Sequence, residues 1–202
     1  MQLANNEELD TFLKIHPSIK MMEVLMIDMN GIIRCKRIPR SEFTELFTEG
    51  LKSPASTVLL NVKGEFCDEL DKADLDGDPD RLIRPIKNTL SIIPWLESET
   101  AQVLSTFTEL NGEPNPFDSR NVLINSLKPL YALGLKLVVA TELEFYLIKS
   151  GDSSRPEPLL SKIPGTNRDQ SGIQYAMPED LWDHDQFLDD VRSVCDCQNI
   201  PM

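Results

Sequence analysis

The stretch Leu135-Lys136-Leu137-Val138-Val139-Ala140-Thr141-Glu142-Leu143-Glu144-Phe145-Tyr146-Leu147 decides how this chain is read. Its first half is an apolar, β-branched run of the kind that forms a buried strand. Strand side chains alternate faces with a period of two, so Glu142, Glu144 and Tyr146 share one face and Leu143, Phe145 and Leu147 the other. The two carboxylates then stand roughly 6–7 Å apart on a segment that otherwise favours burial. Like charges in a partly dry place repel and are costly to desolvate, and a divalent cation relieves both costs. Hard cations such as Mg²⁺ and Mn²⁺ prefer carboxylate oxygens. Glu142 and Glu144 are therefore candidate metal ligands. The alternative is an antiparallel strand with one wet face that simply carries two glutamates.

Working outward, Asp118 or Ser119 is placed to cap a helix with Val122, Leu123, Leu127 and Leu130 spaced along one side, and Gly134 to end it. Upstream, Asn111-Gly112-Glu113-Pro114-Asn115-Pro116 is a turn-rich connector and the expected domain boundary. Before it, Asn5 or Asn6 caps a short helix that Pro17 stops. Met22–Met29 and Ile32–Ile38 flank Asn30-Gly31, a strong hairpin signal. Ser41 opens a helix carrying Phe43, Leu46 and Phe47, closed by Gly50. Further strands are expected at 57–62, 90–93 and 101–107. Beyond the glutamates, residues 150–180 read as a long polar loop or meander, and a last helix runs from about Pro178 to Val194. The fold class is α+β: an N-terminal helix over 1–17, a β-grasp-like sheet domain over 18–112, and a second, α/β domain begun over 113–202.

With 202 residues, of which 41% are hydrophobic, the chain can bury a substantial core. Its net charge of −13 argues against nucleic-acid binding, because no basic patch is present to meet phosphates. No apolar run approaches the ~20 residues that span a bilayer, and the polar, acidic start is unlike a leader, so a cytoplasmic protein is expected. Cys35, Cys67, Cys195 and Cys197 are few and irregularly spaced, which suits reduced thiols. Cys195-Asp196-Cys197 lacks the second pair or histidine that would make a metal site. Asp74-Leu75-Asp76-Gly77-Asp78-Pro79-Asp80 looks like a calcium loop at first. It places Pro79 where the turn glycine belongs and Pro85 where the bidentate glutamate belongs, so it reads as an acidic turn. His16 and His184 have no nucleophile at useful spacing and read as surface residues.

Several segments, in order, resemble the glutamine synthetase family. Ile27-Asp28-Met29-Asn30-Gly31-Ile32-Ile33-Arg34-Cys35-Lys36 is similar to the first hairpin of its β-grasp domain, with Cys35 where the family usually has glycine. Gly77 to Arg81 through Pro94-Trp95, Gly112-Glu113-Pro114 with Asp118-Ser119-Arg120, and the glutamate-bearing Thr141–Leu147 follow. Within the family the γ-glutamylpolyamine (glutamate–putrescine) ligase branch is the nearest match. Ser53-Pro54-Ala55-Ser56-Thr57 stands where ammonia-using members carry an Asp-Gly-Ser-Ser loop, which favours a larger amine. The resemblance implies an ATP-dependent ligase that forms a γ-glutamyl amide through a γ-glutamyl phosphate, with glutamate and a polyamine or ammonia as substrates. It implies Mg²⁺ or Mn²⁺ held in part by Glu142 and Glu144, and a homo-oligomeric ring. It also implies that the family's remaining ligands lie outside these 202 residues. The chain is thus expected to be an N-terminal part, inactive alone, or else a truncated subunit that joins and regulates rings of a full-length homologue. The resemblance assigns no role to Cys35, Cys195 or Cys197.

Overall fold

A computed structural model describes residues 2–66, 77–151, 154–172 and 175–202. The chain divides into two compact units, Met1–Leu137 and Val138–Met202. Cys67 and the start of the acidic turn at Asp74–Asp76 lie outside the described residues.

The first unit is built on a mixed sheet of β1 (Met21–Ile27), β2 (Ile33–Pro39), β3 (Leu51–Pro54), β4 (Asp80–Pro85), β5 (Ser91–Ile92) and β6 (Thr100–Thr108). The order is β2-β1-β6-β4-β3, with β5 also on β6. Only β1 and β6 run parallel, in the register Val24 opposite Val103; the other pairs are antiparallel. Alternation puts Met22, Val24 and Met26 of β1, Ala101, Val103 and Phe107 of β6, Ile83 of β4 and Ile38 of β2 into one core. Two helices, α1 (Asn6–Ile15) and α2 (Phe43–Thr48), cover it with Leu9, Phe43, Leu46 and Phe47. Each such side chain contributes about 1.5–3 kcal/mol on full burial, so this face fixes the sheet. The class is α+β.

The expected hairpin forms, but its turn is not a two-residue Asn-Gly loop. Asp28 closes it: one carboxylate oxygen accepts from the backbone N–H of Asn30 (2.9 Å) and of Ile32 (2.9 Å). Of the two turn residues only Gly31 adopts positive φ, at 79°. The Asn30 side chain instead reaches across to the Leu60 carbonyl, tying the turn to the following loop. Residues 57–62, expected as a strand, are not one. The strand is β3 at 51–54, and Ala55–Leu59 coil into a 3₁₀ turn that buries Ala55, Val58 and Leu59. Ser53 and Ser56 of the segment that departs from the ammonia-using pattern are both buried. Ser56 donates through N and Oγ to the Asp78 carboxylate at 2.9 and 2.7 Å. Strand β4 follows directly on the acidic turn, which ends at Asp80; Leu82 and Ile83 are too few apolar residues to announce a strand without their partners on β3 and β6.

Helix α3 (Ser119–Ala132) is capped by Asp118 as expected. Its leucine-rich side, however, is open: Val122 and Leu123 are half exposed, and only Asn121 is buried. The residues turned to the sheet's second face are polar. Asp118 accepts from Thr106 Oγ1 (2.9 Å) and the Phe107 N–H (2.7 Å), while Asn121 Nδ2 donates to the carbonyls of Phe107 and Asn115 (3.0 Å each). These bonds stitch the helix start to β6, so the connector at 111–116 lies inside the first unit.

In the second unit the last helix is broken into α4 (Pro178–Asp183) and α5 (Asp185–Cys197). Asp183, His184 and Asp185 are weak helix formers that compete for backbone groups, and His184 takes a non-helical ψ of 15° at φ −119°.

Candidate metal centre

The decisive stretch is not a paired strand among the described residues. Residues 135–147 belong to no helix or strand, and Val138, Val139, Leu143, Phe145 and Tyr146 are 91, 70, 80, 61 and 72% exposed. A strand exists only through hydrogen bonds to neighbours, and the described residues supply none to 138–144. The sequence pattern anticipates burial on both faces; neither face of 138–144 is covered here.

What holds the segment begins just after Glu144. Leu147 accepts from the Leu159 N–H (2.7 Å), and the Lys149 N–H donates to Glu157 (2.9 Å). The Lys149 and Glu157 side chains pair at 3.6 Å, both largely in water. Phe145 meets Phe187 of α5 edge-on, ring centres 5.9 Å apart. Phe145, Leu147, Leu159, Leu181, Phe187 and Leu188 line an apolar cavity of about 280 Å³ within this unit. Glu142 and Glu144 thus precede an anchored end of the segment. Both are exposed, and neither carboxylate has a hydrogen-bond or salt-bridge partner among the described residues.

Two unpaired carboxylates one residue apart have the donor chemistry a hard divalent cation requires. They are not a complete set: among the described residues no group of three or more His, Cys, Asp or Glu could hold a metal ion. Cys35 and Cys197 are exposed free thiols, and Cys195 is a half-buried one. Although the residue is exposed, partial desolvation of its sulfur pushes the Cys35 thiol up, with the nearby Glu23 carboxylate adding to it. His16 rests against Phe12, ring centres 4.7 Å apart.

Two buried carboxylates would have looked like site residues had burial been visible in the sequence: Asp28 and Asp118, exposed by 1 and 4%. Both are consumed internally. Asp28 binds Asn30, Ile32 and Arg34, the last through Nε at 3.0 Å and Nη2 at 2.8 Å. Burial alone would raise its pKa; the N–H of Ile32, the Arg34 side chain and the N–H of Asn30 outweigh that and hold it below the usual carboxylate value. These groups build structure, and the glutamate pair is left as the one acidic constellation with free oxygens on the segment singled out by sequence.

In sequence the chain is similar to glutamate–amine ligases and to glutamine synthetases. It is 30% identical to gamma-glutamylputrescine synthetase PuuA of Escherichia coli (strain K12), over 98% of this chain and 42% of that protein. It is 32% identical to a glutamate–isopropylamine ligase of a Pseudomonas species over 63% of this chain and 28% of the relative, and 26% identical to a glutamine synthetase of Mycolicibacterium smegmatis over 69% and 30%. The chain therefore spans less than half the length of these relatives. No family model matches it. Among solved structures, the crystal structure of a novel glutamine synthase homolog aligns with 57% of this chain and 27% of its own at 14% identity, TM-score 0.49. Among the described residues no helix is long and apolar enough to cross a membrane.

Proposed function

We infer that the chain is the N-terminal part of an ATP-dependent glutamate–amine ligase of the γ-glutamylpolyamine type. The observation that carries this reading is the 30% identity to a γ-glutamylputrescine synthetase over 98% of the chain. Residues 18–112 of the first unit would correspond to a β-grasp-like domain, and residues 113–202 to the start of the catalytic domain. Glu142 and Glu144 would hold Mg²⁺ or Mn²⁺. Such an ion supplies charge neutralisation for crowded phosphate and carboxylate oxygens during phosphoryl transfer from ATP. The protein's own part is to present two carboxylates on a segment anchored by Phe145 and Leu147, with glutamate and an aliphatic amine as substrates. The amine names of two relatives, putrescine and isopropylamine, support an alkylamine over ammonia, as does a 53–57 segment whose serines are committed to internal contacts.

A cation held by two side chains and water is bound weakly, since catalytic sites need a full and supported ligand set. The 202-residue chain alone is accordingly inactive, and activity in a homo-oligomeric ring requires ligands supplied from outside it. The test is phosphate release from ATP with Mg²⁺, glutamate and putrescine. The purified chain gives none above background; robust release overturns the reading. A second reading, a non-catalytic subunit that joins rings of a longer homologue, is favoured by the uncovered apolar residues at 138–146. Co-purification with a full-length ligase separates the two.

A further inference from the structure

Helix α3 meets β6 with a polar stripe, and that stripe lines a cavity unrelated to the glutamate pair. Asn121, Ile124, Asn125 and Lys128 follow the i, i+3, i+4, i+7 spacing of one helical face. Together with Thr106 and Thr108 of β6, and with Leu3, Gly112 and Pro114, they enclose about 240 Å³ within the first unit. Thr106 and Asn121 are spent on the Asp118 network. The others are not. Alternation along β6 puts Thr108 on the same face as Thr106, toward α3. Thr108 is only 6% exposed, and its hydroxyl has no hydrogen-bond partner. A buried hydroxyl left unpaired costs about 1–3 kcal/mol, so the Thr108 hydroxyl is a polar group available to whatever fills the cavity. At the cavity's mouth the Lys128 ammonium and the Asn125 amide also have no partner among the described residues.

We propose that this cavity binds a short aliphatic carboxylate, its oxygens on Lys128, Asn125 and Thr108 and its alkyl part against Leu3, Ile124 and Pro114. The free groups are one cation, one amide and one hydroxyl, all able to donate. That set matches a single negative charge. A phosphate dianion calls for more cationic donors, of the forked arginine kind, and an amine finds no free carboxylate among the lining residues. The volume is below the range of drug-sized pockets, which limits the guest to a small acid. The site does not depend on the ligase reading, and no metal enters it.

The experiment is titration of the full 202-residue chain, ¹⁵N-labelled, with butyrate, n-butanol and inorganic phosphate, followed by amide and side-chain NMR shifts. Butyrate gives saturable shifts at Thr108, Asn125 and Lys128; butanol and phosphate give none at the same concentrations. Lys128→Met weakens butyrate about tenfold, the loss of one charge-assisted contact, and Lys128→Arg keeps it within about threefold because the charge stays. Thr108→Val, nearly isosteric, weakens it as well. Lys128 is exposed, so its variants test binding without disturbing the core, and far-UV circular dichroism checks that each is folded. Shifts that rise linearly without saturating, butanol binding as well as butyrate, or Lys128→Met binding butyrate like the parent would each overturn the proposal, leaving a cavity that holds only water.

Discussion

Replacing Asp28 by alanine removes the keystone of the β1–β2 turn. Two backbone N–H groups, of Asn30 and Ile32, lose their acceptor, and Arg34 loses the carboxylate at 2.8 Å while its guanidinium stays three-quarters buried. A hydrogen bond to a charged group is worth about 1.5–3 kcal/mol and truncating one member of a buried ion pair costs about 3–5. The contributions overlap, and Arg34 keeps a bond to the Asn61 carbonyl (3.1 Å) and some access to water, so the lower end, about 3 kcal/mol, is the expected loss. The sign of the pH dependence follows from the depressed pKa. The folded protein holds this proton less tightly than the unfolded chain, whose value is near 3.8. The stabilisation is therefore complete above the unfolded value and is lost as pH falls through the lower folded value. Urea unfolding of the parent, D28A and D28N across roughly pH 7 to 2, with amide exchange at residues 27–34, checks both points. D28N should be intermediate, because its oxygen still accepts from the turn while its amide faces the Arg34 donors, and both variants should flatten the acid limb. If D28A unfolds within about 0.5 kcal/mol of the parent, the ordinary range of a surface change, the account of Asp28 as an internal anchor is wrong.

Asp118→Ala, which deletes both the α3 cap and the acceptor for Thr106 and Phe107, should cost about 3 kcal/mol and lower helicity measured by circular dichroism. Gly50→Ala places a Cβ 2.5 Å from Arg84 Cδ and 2.8 Å from the Ile83 carbonyl at φ +86°; a loss of at least about 1–2 kcal/mol is expected, and thermal unfolding no lower than that of the parent would contradict it. For the glutamate pair, Mn²⁺ titration by calorimetry should show weak binding that E142Q and E144Q each reduce and that a doubly substituted chain abolishes. Binding unchanged in all three would remove the metal reading of these residues.

What could be read from the sequence tracks how local the cause is. Caps at Asn5 and Asp118 and the buried triad Phe43, Leu46 and Phe47 follow from residue type and spacing within a turn or two, and they form as expected. Strand β6 carries enough apolar residues, nine long in all, to be recognised alone. The misses share a different origin. Strand β4 has two apolar interior residues and depends on β3 and β6 from distant parts of the chain. Residues 57–62 have strand composition, yet Ser56 is captured by Asp78, twenty-two residues on, and the backbone coils. The apolar residues of α3 share one side as their spacing implies, yet it is Asn121 that meets the sheet, because Thr106 and Phe107 offer polar partners there. Pattern predicts which face is apolar; it does not say which face finds a neighbour.

That distinction also explains the glutamate segment. Leu135–Leu147 has the composition of a central strand, buried on both sides, and such a segment cannot satisfy its own backbone. Among the described residues its backbone is held at Leu135, by Leu130, and again from Phe145 onward, by 157–159 and by α5. An isolated two-stranded contact is marginal in water, so among the described residues the carboxylates at 142 and 144 have no rigid frame and no third ligand. Metal affinity at this pair is then expected to depend on sheet completion: strands that pair with 135–144 would fix the two side chains on one face and exclude water from the other. If that coupling holds, supplying strands that pair with this segment in trans should raise Mn²⁺ affinity and protect the 138–144 amides from exchange together. Protection without a gain in affinity would show that strand pairing and metal binding are separate properties of this segment.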